Sequence, residues 1–186
     1  MRTTASTTYD RPRPPQGSGD VIRSIYQYAD DVLDGRILAC KKVKMACERF
    51  FRDLRNSEKE EYPWRFDAAK AERPIVMMER YLVPPKGDYS RMELMPWQRF
   101  VEGNIYGWID KKTGLRRFRE ALIVVGRGNG KSTLVAGNSI FGVSKDDERG
   151  ADVYLLANSK EQAGIVLALS TINQPSLCTS RASKIF

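Results

Sequence analysis

The sequence contains no histidine and only three cysteines. Without histidine, this chain cannot form the Ser-His or Cys-His couple of a nucleophilic hydrolase. The cysteines Cys40, Cys47 and Cys178 include no C-x-x-C pair, which argues against a zinc site made of the usual Cys and His ligands. Cys40 and Cys47 stand seven residues apart in a helical pattern. We therefore interpret them as buried thiols rather than a disulfide, in keeping with a reducing compartment.

Long apolar runs are also lacking. No stretch of about 18 apolar residues occurs, which is roughly the length that a membrane-spanning helix needs. The opening "MRTTASTTYDRPRPPQGSGD" has no apolar core of the kind that secretory signals contain. We therefore expect neither a membrane span nor a standard signal peptide.

Charge of one sign is in excess, because 31 Lys and Arg stand against 23 Asp and Glu, for a formal net charge of +8. Such a balance favours acidic partners, such as nucleic acid or nucleotide phosphates. A solvated cationic surface would give the same balance, so charge alone leaves both readings open.

The first half of the chain has helical periodicity. Residues 1–19 are rich in Thr, Pro, Ser and Gly and are predicted to be disordered, whereas residues 20–90 are predicted to form a helical region. Its three helices are predicted from Asp20 to Gly35, from Arg36 to Ser57 and from about Asp67 to Val83. Pro74 predicts a kink or a late start in the third.

The second half changes character, and residues 91–170 are predicted to be part of an α/β core. A short helix at "MPWQRFVEGNIYGWID" is followed by the apolar run Ala121–Val125, which predicts a strand buried on both sides. A helix from about Gly130 to Val143, a second strand in "VYLLA" and a helix beginning at Ser159 follow. This order predicts the start of a P-loop NTPase parallel sheet, preceded by the helical region.

The stretch "VVGRGNGKST" between the first strand and its helix resembles a phosphate-binding loop. Gly130, Lys131 and Ser132 match the end of the template G-x-x-x-x-G-K-[ST], whereas Val125 stands where its first glycine is expected. The predicted ligands are the phosphates of a nucleotide and Mg²⁺. The candidate nucleotide-binding residues of the loop are Gly126, Arg127, Gly128, Asn129, Gly130, Lys131, Ser132 and Thr133.

The chemistry of phosphate binding assigns a role to each end of the loop. Backbone N–H groups and the following helix N-terminus would hold the β- and γ-phosphates, and Gly126 and Gly128 let the backbone approach them. Lys131 would reach between these phosphates, and the Ser132 hydroxyl would ligate Mg²⁺. The alternative is a strand-to-helix turn with a solvated lysine.

Arg127 places a second cation inside the loop. As a candidate catalytic residue beside Lys131, it would contact the γ-phosphate or sense its loss. An arginine that faces solvent, or that pairs with an acid elsewhere, fits the spacing equally well.

The sequence resembles the large terminase subunit of tailed bacteriophages. The resemblance rests on "LMPWQRFVEGNIYGWIDKKTGLRRFREALIVVGRGNGKSTLVAG" and "ADVYLLANSKEQAGIV", and the helical leader "YADDVLDGRILACKKVKMACERFFRDL" resembles the N-terminal part of that family. Phosphate loops of that family often lack the first glycine and carry a basic residue early in the loop. Here Val125 stands in place of that glycine, and Arg127 is the basic residue. The resemblance implies an ATP-driven motor that translocates double-stranded DNA into proheads.

The same resemblance implies a glutamine upstream of the loop that reads the adenine, matched here by Gln98. Its amide can both donate to and accept from an adenine edge. Trp97 would offer a flat apolar surface to the base, or it packs in the core. Arg116, Arg117 and Arg119 would contact DNA phosphates or a neighbouring subunit, or they form a charged strand edge.

The resemblance also implies binding partners, a cellular location, and acidic motifs that are not found in this sequence. The expected partners are double-stranded DNA, the small terminase subunit, the portal protein and further copies of the parent, with no membrane involved. The expected location is the host cytoplasm and, transiently, the prohead portal. No apolar strand ending in Asp-Glu and no nuclease carboxylate cluster follows Ile165. We therefore expect an incomplete, weakly active or inactive ATPase domain, and an irregular tail at 171–186.

The residues alone leave two other functions open. One is a fragment of a different P-loop motor, such as a helicase-like ATPase. The other is a small basic interaction protein in which the loop serves only folding.

Overall fold

The computed structural model describes residues 11–83, 91–144, 146, 153–156 and 164. These residues divide into two compact units. The first unit contains the described residues up to Ile75 together with Leu94–Ala121, and the second contains Val76–Glu93 and the described residues from Leu122 onward. The elements in chain order are α1 (Asp20–Leu33), α2 (Lys41–Ser57), β1 (Trp64–Phe66), α3 (Ala68–Tyr81), α4 (Pro96–Gly107), β2 (Trp108–Asp110) and α5 (Lys131–Ser144).

The first two helices are confirmed, with one shifted boundary. Helix α1 is followed by Gly35, whose φ of 78° is a left-handed conformation that glycine adopts without steric cost. Helix α2 begins at Lys41 rather than at Arg36, because Cys40 is extended, with φ −69° and ψ 163°. Cys40 is exposed, so its predicted burial is wrong, whereas Cys47 is buried as predicted, and both are free thiols.

An aromatic cluster forms the core of the first unit. Helix α1 packs against α2 and α4. The ring of Phe50 contacts four others edge-on, at centroid distances from 5.1 to 6.4 Å. These rings belong to Tyr26, Phe66, Phe100 and Trp108, so α1, α2, α4 and both strands meet at one side chain.

Two short strands, absent from the sequence predictions, close this unit. β1 and β2 pair antiparallel, with Trp64 opposite Asp110 and Phe66 opposite Trp108. Each strand has only three residues. Such a length shows neither alternation nor an apolar run, so periodicity could not reveal it.

Helix α5 anchors the second unit, and its predicted position is confirmed. It buries Leu134, Ile140 and Phe141. A Cβ added at Gly137 would lie 2.8 Å from Met78 Sδ, so the end of α3 approaches α5 closely at this glycine. Pro74 lies inside α3, which runs without interruption from Ala68 to Tyr81.

The predicted buried strands are wrong for the described residues. Residues 121–125 and 153–156 form no strand. Leu122 and Leu156 are 91% and 95% exposed, respectively. A strand needs a hydrogen-bonded neighbour, and none of the described residues pairs with either segment. The fold is thus mixed helix and strand, and in the described part of the chain its sheet is the β1–β2 pair.

Some predictions fall on residues outside the described ranges. These include the helix beginning at Ser159, of which only Gly164 is described and is helical, and the tail at 171–186. Among the described helices, none has the length and apolar character that crossing a membrane requires.

Candidate nucleotide site

The loop before α5 has the backbone of a tight turn. Gly128 and Gly130 have φ angles of 86° and 68°, in the left-handed region that side-chain-bearing residues rarely adopt. Helix α5 begins directly after them, at Lys131. The glycines of "GRGNGK" therefore serve the geometry that redirects the chain into the helix.

Two side chains bond back to the loop. Asn129 Nδ2 donates to the carbonyl oxygen of Gly126 at 3.2 Å. Lys131 Nζ donates to the carbonyl oxygen of Val125 at 3.1 Å. The lysine thus folds back across the loop and holds its ammonium group at the residue that replaces the template's first glycine.

The first turn of α5 presents N–H groups to solvent. The backbone N–H of Leu134 bonds to the carbonyl of Gly130 at 2.9 Å and starts the helical ladder. The preceding N–H groups, those of Lys131, Ser132 and Thr133, have no helical carbonyl to bond. Such a terminus attracts anions, and the helix dipole adds to the attraction.

The charge of the loop is positive throughout. Arg127 and Lys131 are exposed, and residues 126–133 contain no acid. Arg127 forms no ion pair with an acid among the described residues, so the reading in which it pairs with an acid gains no support. Exposed cations beside free N–H groups provide what a polyphosphate needs.

The first turn of α5 also contains one candidate ligand for Mg²⁺. Ser132 is exposed at the second position of α5, beside Lys131. Among the described residues, no group of three or more His, Cys, Asp or Glu side chains could hold a metal ion. A cation here would therefore depend on the serine hydroxyl and on the phosphates themselves.

The predicted adenine-contacting residues belong to the first unit, whereas the loop belongs to the second. Gln98 is buried at 4% exposure, and its Oε1 accepts the backbone N–H of Met95 at 2.8 Å. This bond closes the start of α4, a role that sequence reasoning missed although Gln at the third helical position is its usual signal. Trp97 is half-buried.

The arginines before the loop separate into different roles. Arg117 Nη1 donates to Asp53 Oδ2 at 2.7 Å and to Tyr62 Oη at 3.1 Å. Arg116 lies over the Tyr106 ring at 5.2 Å, and Arg119 is exposed. Arg117 therefore serves the fold of the first unit, which neither reading of these arginines had predicted.

A comparison with protein families finds a match in the second half of the chain. Residues 96–186 match the family described as terminase large subunit, ATPase domain. The match begins at the first residue of α4 and contains Gln98, the loop and α5. Comparisons with curated proteins and with solved structures found no match.

Proposed function

Because residues 96–186 belong to the terminase large subunit ATPase domain family, we propose that this chain binds ATP through residues 126–133. The observation that carries the proposal is the loop itself. Two left-handed glycines lead into a helix whose exposed first turn carries Lys131. The backbone of "VVGRGNGKST" and the family match together therefore support its interpretation as a P-loop.

The roles of the side chains follow from their chemistry. The N–H groups at the start of α5 bind phosphate oxygens, and Lys131 exchanges the Val125 carbonyl for the β- and γ-phosphates. Ser132 supplies a hydroxyl to Mg²⁺, which neutralises phosphate charge when bound. Arg127 is exposed, and its proposed role is to place a second cation near the γ-phosphate.

The adenine is assigned to Gln98, with Trp97 as its apolar neighbour. The Oε1 atom of Gln98 is engaged with Met95. The Nε2 group is therefore the part of the amide proposed to donate to the base.

We assign the parent protein to a bacteriophage motor that couples ATP hydrolysis to translocation of double-stranded DNA into proheads. Its proposed partners are the small terminase subunit, the portal protein and further copies of itself, in the host cytoplasm and at the prohead portal. The ATPase core of the parent protein is proposed to be a parallel sheet. Hydrolysis by this chain alone is proposed to be weak, because the sequence offers no Asp-Glu pair at the end of an apolar strand.

Isothermal titration calorimetry with ATP and Mg²⁺ tests the proposal on the chain as it stands. A saturable heat near one nucleotide per chain is expected. No saturable heat would support the competing reading, in which the chain is a basic interaction protein and the loop serves only folding.

A further inference from the structure

The loop before α5 is closed by a side chain at a place where turns commonly use the backbone. Asn129 Nδ2 donates to the carbonyl oxygen of Gly126 at 3.2 Å. In a β-turn, that carbonyl commonly accepts the backbone N–H of the residue three positions later. Among the described residues, no backbone hydrogen bond joins Gly126 and Asn129. The amide of Asn129 therefore takes the place of the backbone donor, a substitution that asparagine side chains can make.

This arrangement leaves the backbone N–H of Asn129 available. Within the part of the chain that the structure describes, the N–H groups of residues 129–133 donate to no carbonyl and to no side chain. Successive backbone N–H groups of this kind can bind an anion, and here they continue into the first turn of α5. A turn closed through its backbone would occupy the first of these groups, so the bond from the side chain keeps one more donor for a phosphate oxygen.

The glycine at position 126 fits the same contact. The positive φ angles of the loop belong to Gly128 and Gly130 and not to Gly126, so backbone conformation does not account for this glycine. A Cβ added at Gly126 would lie 3.3 Å from Asn129 Nδ2, which is closer than ordinary van der Waals contact. A Cβ added at Gly128 would have no neighbour within 4 Å among the described residues. Gly126 therefore makes room for the amide that bonds to its own carbonyl.

We infer that Asn129 is a positioning residue of the nucleotide loop. Its amide holds the Gly126 carbonyl, which keeps the turn closed and leaves the Asn129 N–H for a phosphate oxygen. Gly126 is the matching part of the contact, because a side chain there would push the amide away. The ligand served is the polyphosphate of a nucleotide, which rests on the proposed function, whereas closure of the turn can be measured without any nucleotide.

The first measurement follows tryptic cleavage after Arg127 in the protein without nucleotide, read by peptide mass spectrometry. Arg127 is exposed, so the cleavage rate reports how often the turn opens. Each rate is divided by the rate for a peptide of residues 121–135 with the same substitution, which removes effects of the substitution on trypsin itself. The variants are Asn129→Ala, Gly126→Ala and the two combined, and the control is Asn56→Ala, which alters a half-exposed asparagine of α2.

Asn129→Ala and Gly126→Ala should each raise the normalised cleavage rate about threefold, because each disrupts one hydrogen bond of modest strength. The combined variant should also be cleaved about threefold faster than the wild type, and not about ninefold faster, because both substitutions act on the same contact. The control Asn56→Ala should be cleaved as the wild type is. Single variants with unchanged rates would overturn the inference, and so would multiplying effects in the combined variant.

The second measurement is ATP binding by calorimetry in the presence of Mg²⁺. Asn129→Ala should bind ATP at least about threefold more weakly than the wild type and Asn56→Ala, since a phosphate oxygen loses a positioned backbone donor. Faster cleavage of Asn129→Ala with unchanged ATP affinity would overturn the inference, because the closed turn would then not serve the phosphates. A wild type that binds no ATP would contradict the proposed function, and the cleavage rates would still decide whether Asn129 and Gly126 close the turn.

Discussion

Arg117 Nη1 lies 2.7 Å from Asp53 Oδ2, which ties α2 to the segment that leads toward the loop. The side chains are 21% and 6% exposed. The guanidinium also lies within 5.7 Å of the ring centroids of Trp64, Trp108 and Phe118. One arginine thus connects both strands of the first unit to its longest helix.

Removing the Asp53 carboxylate should destabilise the first unit. The Asp53→Ala variant leaves a largely buried guanidinium without its ion-pair partner, and the expected loss is about 3 kcal/mol of unfolding free energy. Urea unfolding followed by tryptophan fluorescence measures it, since Trp64 and Trp108 lie beside Arg117. The control Glu48→Ala removes an exposed acid from the same helix and should stay within about 0.5 kcal/mol of wild type. Equal losses in the two variants would contradict the structural role of Arg117.

Stability should fall in alkali because of Tyr26. Burial raises the pKa of Tyr26 to about 12, whereas an unfolded tyrosine ionises near 10. Between these values the unfolded chain releases a proton that the folded chain retains, so rising pH favours unfolding. Burial also raises the pKa of Cys47 to about 12, which adds a loss of the same sign.

The Tyr26→Phe variant isolates the tyrosine. It keeps the ring beside Phe50 and removes the ionisable group, so its urea midpoint should decline less steeply above about pH 10 than that of wild type. The control Tyr154→Phe alters a tyrosine that is 81% exposed and should follow wild type. Parallel curves for wild type and Tyr26→Phe would refute the assignment.

The two described cysteines should react at very different rates. Cys40 is exposed at the start of α2, where hydrogen bonds from the backbone N–H groups of Val43 and Lys42 lower its pKa. Cys47 is buried, with a raised pKa. Alkylation by iodoacetamide, read by peptide mass spectrometry, should modify Cys40 faster by on the order of 100-fold. The difference should vanish in denaturing urea; similar rates in the native protein would contradict the burial of Cys47.

The proposed adenine contact of Gln98 can be separated from its role at the start of α4 by one substitution. In Gln98→Glu the carboxylate can still accept the Met95 N–H, because Glu also closes this kind of helix start. It cannot donate to adenine, so the preference of the folded protein for ATP over GTP should fall about tenfold. Calorimetric titration with each nucleotide measures this. An unchanged preference would leave Gln98 with only its role at the start of α4.

Periodicity predicted the helices well, because burial of one face repeats every three to four residues over several turns. It placed α5 to within one residue at each end, since glycine and an apolar run mark its limits. The apolar run Ala121–Val125 predicted a buried strand, but burial depends on partner strands that local sequence does not specify. Arg117 shows the same limit, because its partner Asp53 is 64 residues away in the chain.

The loop motif of the candidate site could be predicted from the sequence, whereas the side-chain contacts within the loop could not. The loop was visible as a motif because consecutive residues build it, and Gly128 and Gly130 adopt the left-handed backbone that such a loop needs. The contact from Lys131 to the Val125 carbonyl depends on how the loop folds, and so it could not be foreseen.

The most direct test of the account compares ATP binding by the wild type and by Lys131→Ala, using calorimetry in the presence of Mg²⁺. Loss of the ammonium should weaken binding at least about tenfold, because a charge-assisted contact to phosphate contributes more than 1.4 kcal/mol. The control Lys112→Ala removes an exposed lysine of the first unit and should bind as the wild type does. A Lys131→Ala chain that binds ATP as tightly as the wild type would contradict the assignment of this loop as the nucleotide site.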